Sequence, residues 1–226
     1  MKEEIVNIES ITSAFDKWTT EDKTLNSKEA RKNALSKFET LGFPNPKNEN
    51  WKYTNLSSVL KKGFTPIGSY NPGDLAPSSY QALKVSNNKA IRLVFVDGYL
   101  STELSDIYEI KGFHFKTLKQ SEINTNTDVL KDESFIALNT AFTKDGAIIE
   151  IDDNAIIEDA IEIYNITTCP GVKMIQPKHS ITIGKNAQAT FIESFHNLCV
   201  GSSFTNVVNN IYVCLLYTSP SPRDDI

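Results

Sequence analysis

The chain has 226 residues, 40% of them hydrophobic, and a formal net charge of −5. This length allows one sizeable core or two small domains joined by a linker. The acidic balance disfavours nucleic acid as the main partner, because phosphate binding requires clustered Lys and Arg.

The N-terminal sequence M-K-E-E-I-V-N-I-E-S is acidic where a signal peptide is basic, and no apolar segment follows it. No apolar run approaches the ~20 residues that span a bilayer. The cysteines Cys169, Cys199 and Cys214 lack C-x-x-C spacing, as expected in a reducing compartment. For Cys169 and Cys199 a structural role is favoured over a functional one. We therefore expect a cytoplasmic protein without a membrane partner.

The first third of the chain is predicted to be helical. Apolar residues at helical spacing predict one helix over about 4–19 and a second one after Asn26. Glu29 is placed as a capping-box partner for the second helix, and Gly42 is placed to end it in a left-handed turn. The following G-F-P-N-P sequence forces an extended connector, because proline cannot continue a helix.

The middle of the chain reads as a connection with few regular elements. Residues 62–90 are rich in Pro, Gly, Ser and Asn, which predicts a long surface connection. Residues 91–96 form the first clear strand and run into Asp97-Gly98, a tight-turn pair. Residues 135–142 are predicted to form a short helix that a second Asp-Gly pair stops.

The last third of the chain is predicted to consist of short strands. An I-x-x-N-A pattern occurs twice, at 151–155 and 183–187, with Asn154 and Asn186 where a left-handed turn is needed. Stacked rungs of a β-solenoid would explain this repeat, and a β-sandwich would give similar strands and turns. The predicted strands are 147–151, 160–166, 180–183, 189–195 and 204–213.

Enzyme motifs are absent from the sequence. It contains no Gly-rich phosphate loop, no G-x-S-x-G and no H-E-x-x-H. His114, His179 and His196 are scattered, and none has a second metal ligand three or four residues away. The acidic pairs at 152–153 and 158–159 could be read as the carboxylate pair of a glycosidase, but solvated turn residues are the favoured interpretation. Trp51 and Tyr53 suggest a ligand platform or a clamp between chain segments, and the clamp is favoured.

Three segments together carry a family resemblance. They read K-N-E-N-W-K-Y-T at 47–54, R-L-V-F-V-D-G at 92–98 and A-T-F-I-E-S-F at 189–195. In this order they resemble the SufD family of iron–sulfur cluster assembly scaffolds. The family-signature residues, for which we expect structural roles, are Glu49, Trp51, Lys52, Tyr53, Thr54, Asp97 and Gly98.

The resemblance implies an α+β fold, with a small helical N-terminal domain followed by the first rungs of a right-handed parallel β-helix. It implies a non-catalytic scaffold that pairs with a SufB-like paralogue and a SufC-like ATPase in the intact protein. The iron–sulfur cluster intermediate belongs to that intact complex, and no cofactor is expected on this chain alone. The family's implicated histidine comes from later rungs, so no catalytic, cofactor or metal residue carries over.

The expected domains are a helical region at 1–62, a connector at 63–145 and the start of the β-helix at 146–213. Residues 214–224, C-L-L-Y-T-S-P-S-P-R-D, match the translation of a sequencing-library adapter, so we expect 214–226 to be an artefactual tail. The natural protein is then expected to continue beyond Val213. Three alternatives stay open: a SufB-like scaffold, an unrelated β-helix interaction module and a carbohydrate-acting β-helix enzyme.

Overall fold

The computed structural model describes residues 8–21, 27–60, 62–66, 75–85, 88–120, 133–168, 171–198 and 200–214. Within these residues five α-helices and eleven strands give an α+β fold, as predicted. The helices are α1 (Ile8–Glu21), α2 (Lys28–Leu41), α3 (Ser57–Leu60), α4 (Pro77–Gln81) and α5 (Ser134–Phe142). The strands are β1 (Thr65–Pro66), β2 (Ala90–Val96), β3 (Tyr99–Leu100), β4 (Phe113–Thr117), β5 (Ala147–Ile151), β6 (Ala160–Thr167), β7 (Gly171–Ile175), β8 (Lys178–Ile183), β9 (Phe191–Asn197), β10 (Gly201–Thr205) and β11 (Val208–Val213).

The strands of the described residues form three sheets, ordered β3-β2-β6-β9, β1-β7-β10 and β11-β8-β5-β4. Consecutive strands β6, β7 and β8, here called the first triplet, lie one in each sheet. The second triplet, β9 to β11, repeats that order, and each of its strands pairs in parallel with its counterpart in the first. The pairs Ile161↔Phe191 and Lys178↔Val208 share the same offset in sequence, so successive triplets stack in constant register.

The main apolar core lies between two of the sheets. Alternate residues of β2 and β6 share one face of their sheet, because side chains alternate along a strand. They meet the inward face of β5 and β8. The buried members are Ile91, Leu93, Phe95, Phe113, Ala147, Ile149, Ile151, Ile157, Ile161, Ile163 and Ile181. We call this side of the sheets the interior.

The repeated I-x-x-N-A pattern is a pair of stacked turns. Asn154 and Asn186 both adopt the left-handed conformation, with φ of 62° and 55°. Asn186 Nδ2 donates to Asn154 Oδ1 at 3.2 Å, and Ala155 and Ala187 pack against the core. The predicted left-handed turns are confirmed, as is the inward position of the two alanines.

The helices form a second core on the outer side of the sheet β1-β7-β10. Buried side chains of α1, α2 and α5, among them Phe15, Trp18, Phe38 and Phe142, surround Met174 of β7. Gly42 ends α2 as predicted, but with φ of 67° and ψ of −174° it adopts an extended positive-φ conformation and not the predicted left-handed turn. Left-handed Ser27 precedes α2 and makes no side-chain cap, and Asn26, the predicted capping-box partner of Glu29, lies outside the described residues.

Some strand predictions are also wrong. Residues 204–213 do not form one strand, because the chain turns at Asn206 between β10 and β11. The Asn206 N–H donates to Ile175 O, and its side chain donates to Phe135 O. Strands β4 and β7 were not predicted, since neither has a long alternating pattern. The predicted 135–142 helix is confirmed as α5, and the predicted Asp97-Gly98 turn is confirmed as the β2–β3 hairpin.

The segment predicted as a surface connection contributes to a third, smaller core. Leu75 and Tyr80 are buried against Val94 of β2 and Tyr164 of β6, on the outer face of their sheet. Tyr80 and Tyr164 meet edge-to-face with ring centroids 5.5 Å apart. The surface prediction is therefore wrong at these positions, because Leu75 and Tyr80 of the Pro- and Gly-rich segment help to cover an apolar sheet face.

Candidate functional site

The W-K-Y-T segment lies beside helix α5. Trp51, in a short 3-10 helix at Glu49–Trp51, meets Phe135 edge-to-face at 5.3 Å. Tyr53 is 93% exposed, and Lys52 Nζ lies 5.6 Å from its ring centroid. Glu49 and Thr54 are also exposed. Of the two signature aromatics, Trp51 therefore packs against the fold and Tyr53 projects into solvent.

The Asp97-Gly98 pair lies elsewhere, at the end of β2. Both residues have positive φ, 52° and 82°, as a type I′ hairpin requires. The buried Asp97 carboxylate accepts hydrogen bonds from the N–H and hydroxyl of Thr168, at 2.8 and 2.6 Å. A Cβ on Gly98 would lie 3.0 Å from Ile175. These contacts join β2 to the segment after β6, so this signature pair fastens the hairpin to the first triplet.

A polar cluster that the sequence analysis missed lies in the interior. His179 of β8 is fully buried, and its Nδ1 accepts a hydrogen bond from the Ala147 N–H at 2.9 Å. Its Nε2 has no hydrogen-bond partner among the described residues and lies 3.9 Å from Glu193 Oε1. Burial lowers the pKa of His179 to about 4, in spite of that nearby carboxylate. The imidazole is therefore neutral at pH 7.

Glu193 ties the two triplets together in this cluster. Its Oε1 accepts from Asn165 Nδ2 of the first triplet at 2.8 Å, and its Oε2 accepts from Asn209 Nδ2 of the second at 2.6 Å. Glu193 pairs in register with Ile163, whose side chain lies in the apolar core. The sequence signal for this cluster was the carboxylate of Glu193 in the strand F-I-E-S-F. It could be recognised as inward-facing only once the register with Ile163 was known.

A buried ion pair crosses the outer face of the first sheet. Arg92 Nε donates to Glu162 Oε2 at 2.9 Å, and Tyr164 donates its hydroxyl proton to the same oxygen at 2.7 Å. Arg92 also reaches Asp106 at 3.2 Å. These bonds hold the 88–106 hairpin region onto β6, so the role of the ion pair is structural.

Two basic side chains are buried where the strands meet the helices. Lys178 Nζ donates to Thr140 Oγ1 at 3.0 Å, and Arg31 donates to the main-chain oxygens of Ala141 and Thr143. Burial, and to a smaller degree the Arg31 guanidinium, lower the pKa of Lys178 to about 8.

Within the described residues no group of three or more His, Cys, Asp or Glu side chains is placed to hold a metal ion. His114 contacts Asp152 at 3.0 Å on an exposed sheet face, and His196 contacts Ser194 at 3.2 Å. Cys214 is free and exposed, while Cys169, Cys199 and the tail from 215 lie outside the described residues. Among the described residues no helix has the length and apolar character to cross a membrane.

Comparison with known proteins defines the class. The family described as SufBD protein N-terminal region matches residues 14–163. An iron–sulfur cluster assembly SufBD family protein of Synechocystis sp. is 26% identical over 214 residues, covering 86% of this chain and 46% of the relative. The iron–sulfur cluster assembly protein SufD of Escherichia coli is 27% identical over 174 residues, covering 76% of this chain and 40% of the relative.

The chain therefore belongs to the SufBD family. Within that family it is SufD-like, as the signature segments indicated. It spans less than half the length of the curated relatives that it matches.

Proposed function

We propose that this chain takes part in iron–sulfur cluster assembly as a non-catalytic, SufD-like scaffold. The observation that carries the proposal is the family match over residues 14–163. It is supported by two relatives whose names place them in iron–sulfur cluster assembly. A scaffold role also agrees with the buried polar groups described above, whose contacts are to the fold itself.

We further propose that the stacked triplets are the first rungs of a parallel β-helix. The support is the repeated sheet order and the constant register between the two triplets. Each rung of such a solenoid is stabilised by its neighbours. Its right-handedness is what the family resemblance implies.

The last described triplet presents an open edge that supports this proposal. Several large apolar side chains of β9 to β11 and the turns beside them are exposed, and a further rung would cover such an edge. They are Phe195, Leu198, Val200, Ile211, Tyr212 and Val213.

The proposed partners are a SufB-like paralogue, paired through the β-helices, and a SufC-like ATPase, all in the cytoplasm. Co-expression of the chain with both proteins of its source organism tests this. A tag on the chain is expected to retain the SufB-like protein through repeated washing. The same tag on an unrelated protein is the control, and failure of the chain to retain the SufB-like protein would contradict the proposed pairing.

A further inference from the structure

The buried imidazole of His179 occupies a position where a main-chain acceptor would ordinarily stand. Ala147 is the first residue of β5, and the ladder between β5 and β8 begins one residue later, at Ile148↔Ser180. The Ala147 N–H therefore has His179 Nδ1 as its acceptor, at 2.9 Å. A buried N–H without an acceptor costs free energy, so the ring secures the beginning of β5.

This hydrogen bond determines which ring nitrogen carries the proton. Nδ1 must keep its lone pair to accept from Ala147, so the proton of the neutral ring is on Nε2. The Nε2–H points into the interior near Glu193 Oε1, at 3.9 Å. Since Nε2 is protonated, the ring is a hydrogen-bond donor there and is unavailable as a metal ligand.

Protonation of His179 is incompatible with this arrangement. A second proton would have to go to Nδ1 and would face the Ala147 N–H across the same 2.9 Å. Two N–H groups cannot hydrogen-bond to each other, so the bond to β5 would be lost. The new cation would also be fully buried.

The surroundings offer the cation little compensation. From β2 the Phe95 ring packs at 4.9 Å between centroids, and from β5 the neighbour is Ala147. From β9 the facing charge is the Glu193 carboxylate, which Asn165 and Asn209 hold 3.9 Å from Nε2, beyond hydrogen-bond distance, so its charge offsets only part of the cost of burial. The adjacent Lys178 bonds to Thr140 of α5.

We propose that His179 is an acid-sensitive latch between β5 and β8. The neutral ring holds the beginning of β5, and with it the corner that leads from α5 into the sheet. Protonation releases that corner. The main-chain oxygen of Gly146, at the same corner, accepts from the N–H of Leu118, the residue after β4, at 2.9 Å, so release also loosens the attachment of β4. This property of the chain does not depend on its role in cluster assembly.

Nuclear magnetic resonance of the 226-residue chain tests the latch directly. Long-range 15N–1H spectra of the imidazoles are expected to show the proton of His179 on Nε2 at pH 7, with a titration midpoint well below 6. The Ala147 amide is expected to be protected from exchange at pH 7 and to lose protection, relative to its intrinsic rate, as the pH falls to about 4 and His179 is protonated. A proton on Nδ1 at pH 7, or an Ala147 amide whose protection is unchanged through the titration of His179, would overturn the proposal.

Variants give a second readout. A shift of the His179 pKa from 6.5 to about 4 increases the unfolding equilibrium constant by up to about 300-fold as the pH falls through this window. His179→Gln keeps an acceptor for Ala147 but cannot be protonated, so it is expected to lose that increase. His114→Gln, at an exposed histidine, is expected to keep it. Equal pH profiles for the parent chain and His179→Gln would contradict the latch even if both proteins fold.

Discussion

Arg92 and Glu162 form an ion pair that is almost completely withdrawn from solvent. The Nε–Oε2 distance is 2.9 Å, and their side chains are 8% and 1% exposed. Arg92 lies on β2 and Glu162 on β6, in direct parallel register. The pair therefore joins β2 to β6 of the first triplet, across 70 residues of sequence.

Removing one partner of this pair is expected to be costly. Arg92→Met leaves the Glu162 carboxylate buried without its cation, which we expect to lower the free energy of unfolding by about 3–5 kcal/mol. Lys89→Met is the matched control, because Lys89 pairs with Asp159 while 70% exposed. That variant is expected to unfold almost like the parent chain, since solvent screens an exposed ion pair. Urea unfolding of both compares them, and equal losses would contradict the assigned role of the buried pair.

Asn186 is expected to tolerate glycine better than alanine. Its φ of 55° is unfavourable for a residue with a Cβ that lacks the side-chain amide. Asn186→Ala should therefore unfold more easily than Asn186→Gly by about 1 kcal/mol. Both variants lose the 3.2 Å bond to Asn154, so their difference isolates the backbone conformation. A more stable alanine variant would show that the turn is not left-handed.

The lowered pKa of Lys178 predicts that the free energy of unfolding depends on pH in the alkaline range. Its pKa is lowered from 10.5 to about 8 in the folded chain. Between these values the unfolded chain binds more protons than the folded one, so stability rises with pH through this window, by up to about 3 kcal/mol. Lys178→Met should lack this rise, whereas Lys185→Met, at an exposed turn, should retain it. Chemical unfolding at pH 7.5 and pH 10 measures the difference, and a rise that persists in Lys178→Met would assign it to another group.

Replacing Trp51 and replacing Tyr53 should have different effects on the stability of the chain. Trp51→Ala removes the contact with Phe135, and we expect the free energy of unfolding to fall by roughly 1–3 kcal/mol. Tyr53→Ala removes a side chain that is 93% exposed, and the change should stay within about 0.5 kcal/mol. Thermal unfolding distinguishes them. A large loss in Tyr53→Ala would mean that its ring packs against the protein.

The sequence predicted those parts of the fold that depend on local patterns. Helix α5, strand β5, the Asp97-Gly98 hairpin and the left-handed Asn154 and Asn186 all follow from spacing and turn chemistry. Strand β7 escaped prediction because its five residues lack alternation and gain order from the flanking strands.

The interior polar cluster could not be predicted from the sequence for a different reason. His179 and Glu193 lie on consecutive strands, and they face each other only because β8 and β9 belong to different sheets around one interior. No local pattern encodes that arrangement. The buried position of Tyr80 was missed likewise, since its partner Tyr164 lies on a strand far along the chain.

Genetic deletion tests the assembly role most directly. The gene for this chain would be deleted in its source organism, and the activity of an iron–sulfur enzyme such as aconitase would be measured. The proposed role predicts that activity falls while the amount of the enzyme's polypeptide is unchanged, and that the reintroduced gene restores it. Unchanged aconitase activity in the deletion strain, in the absence of a second assembly system, would contradict it.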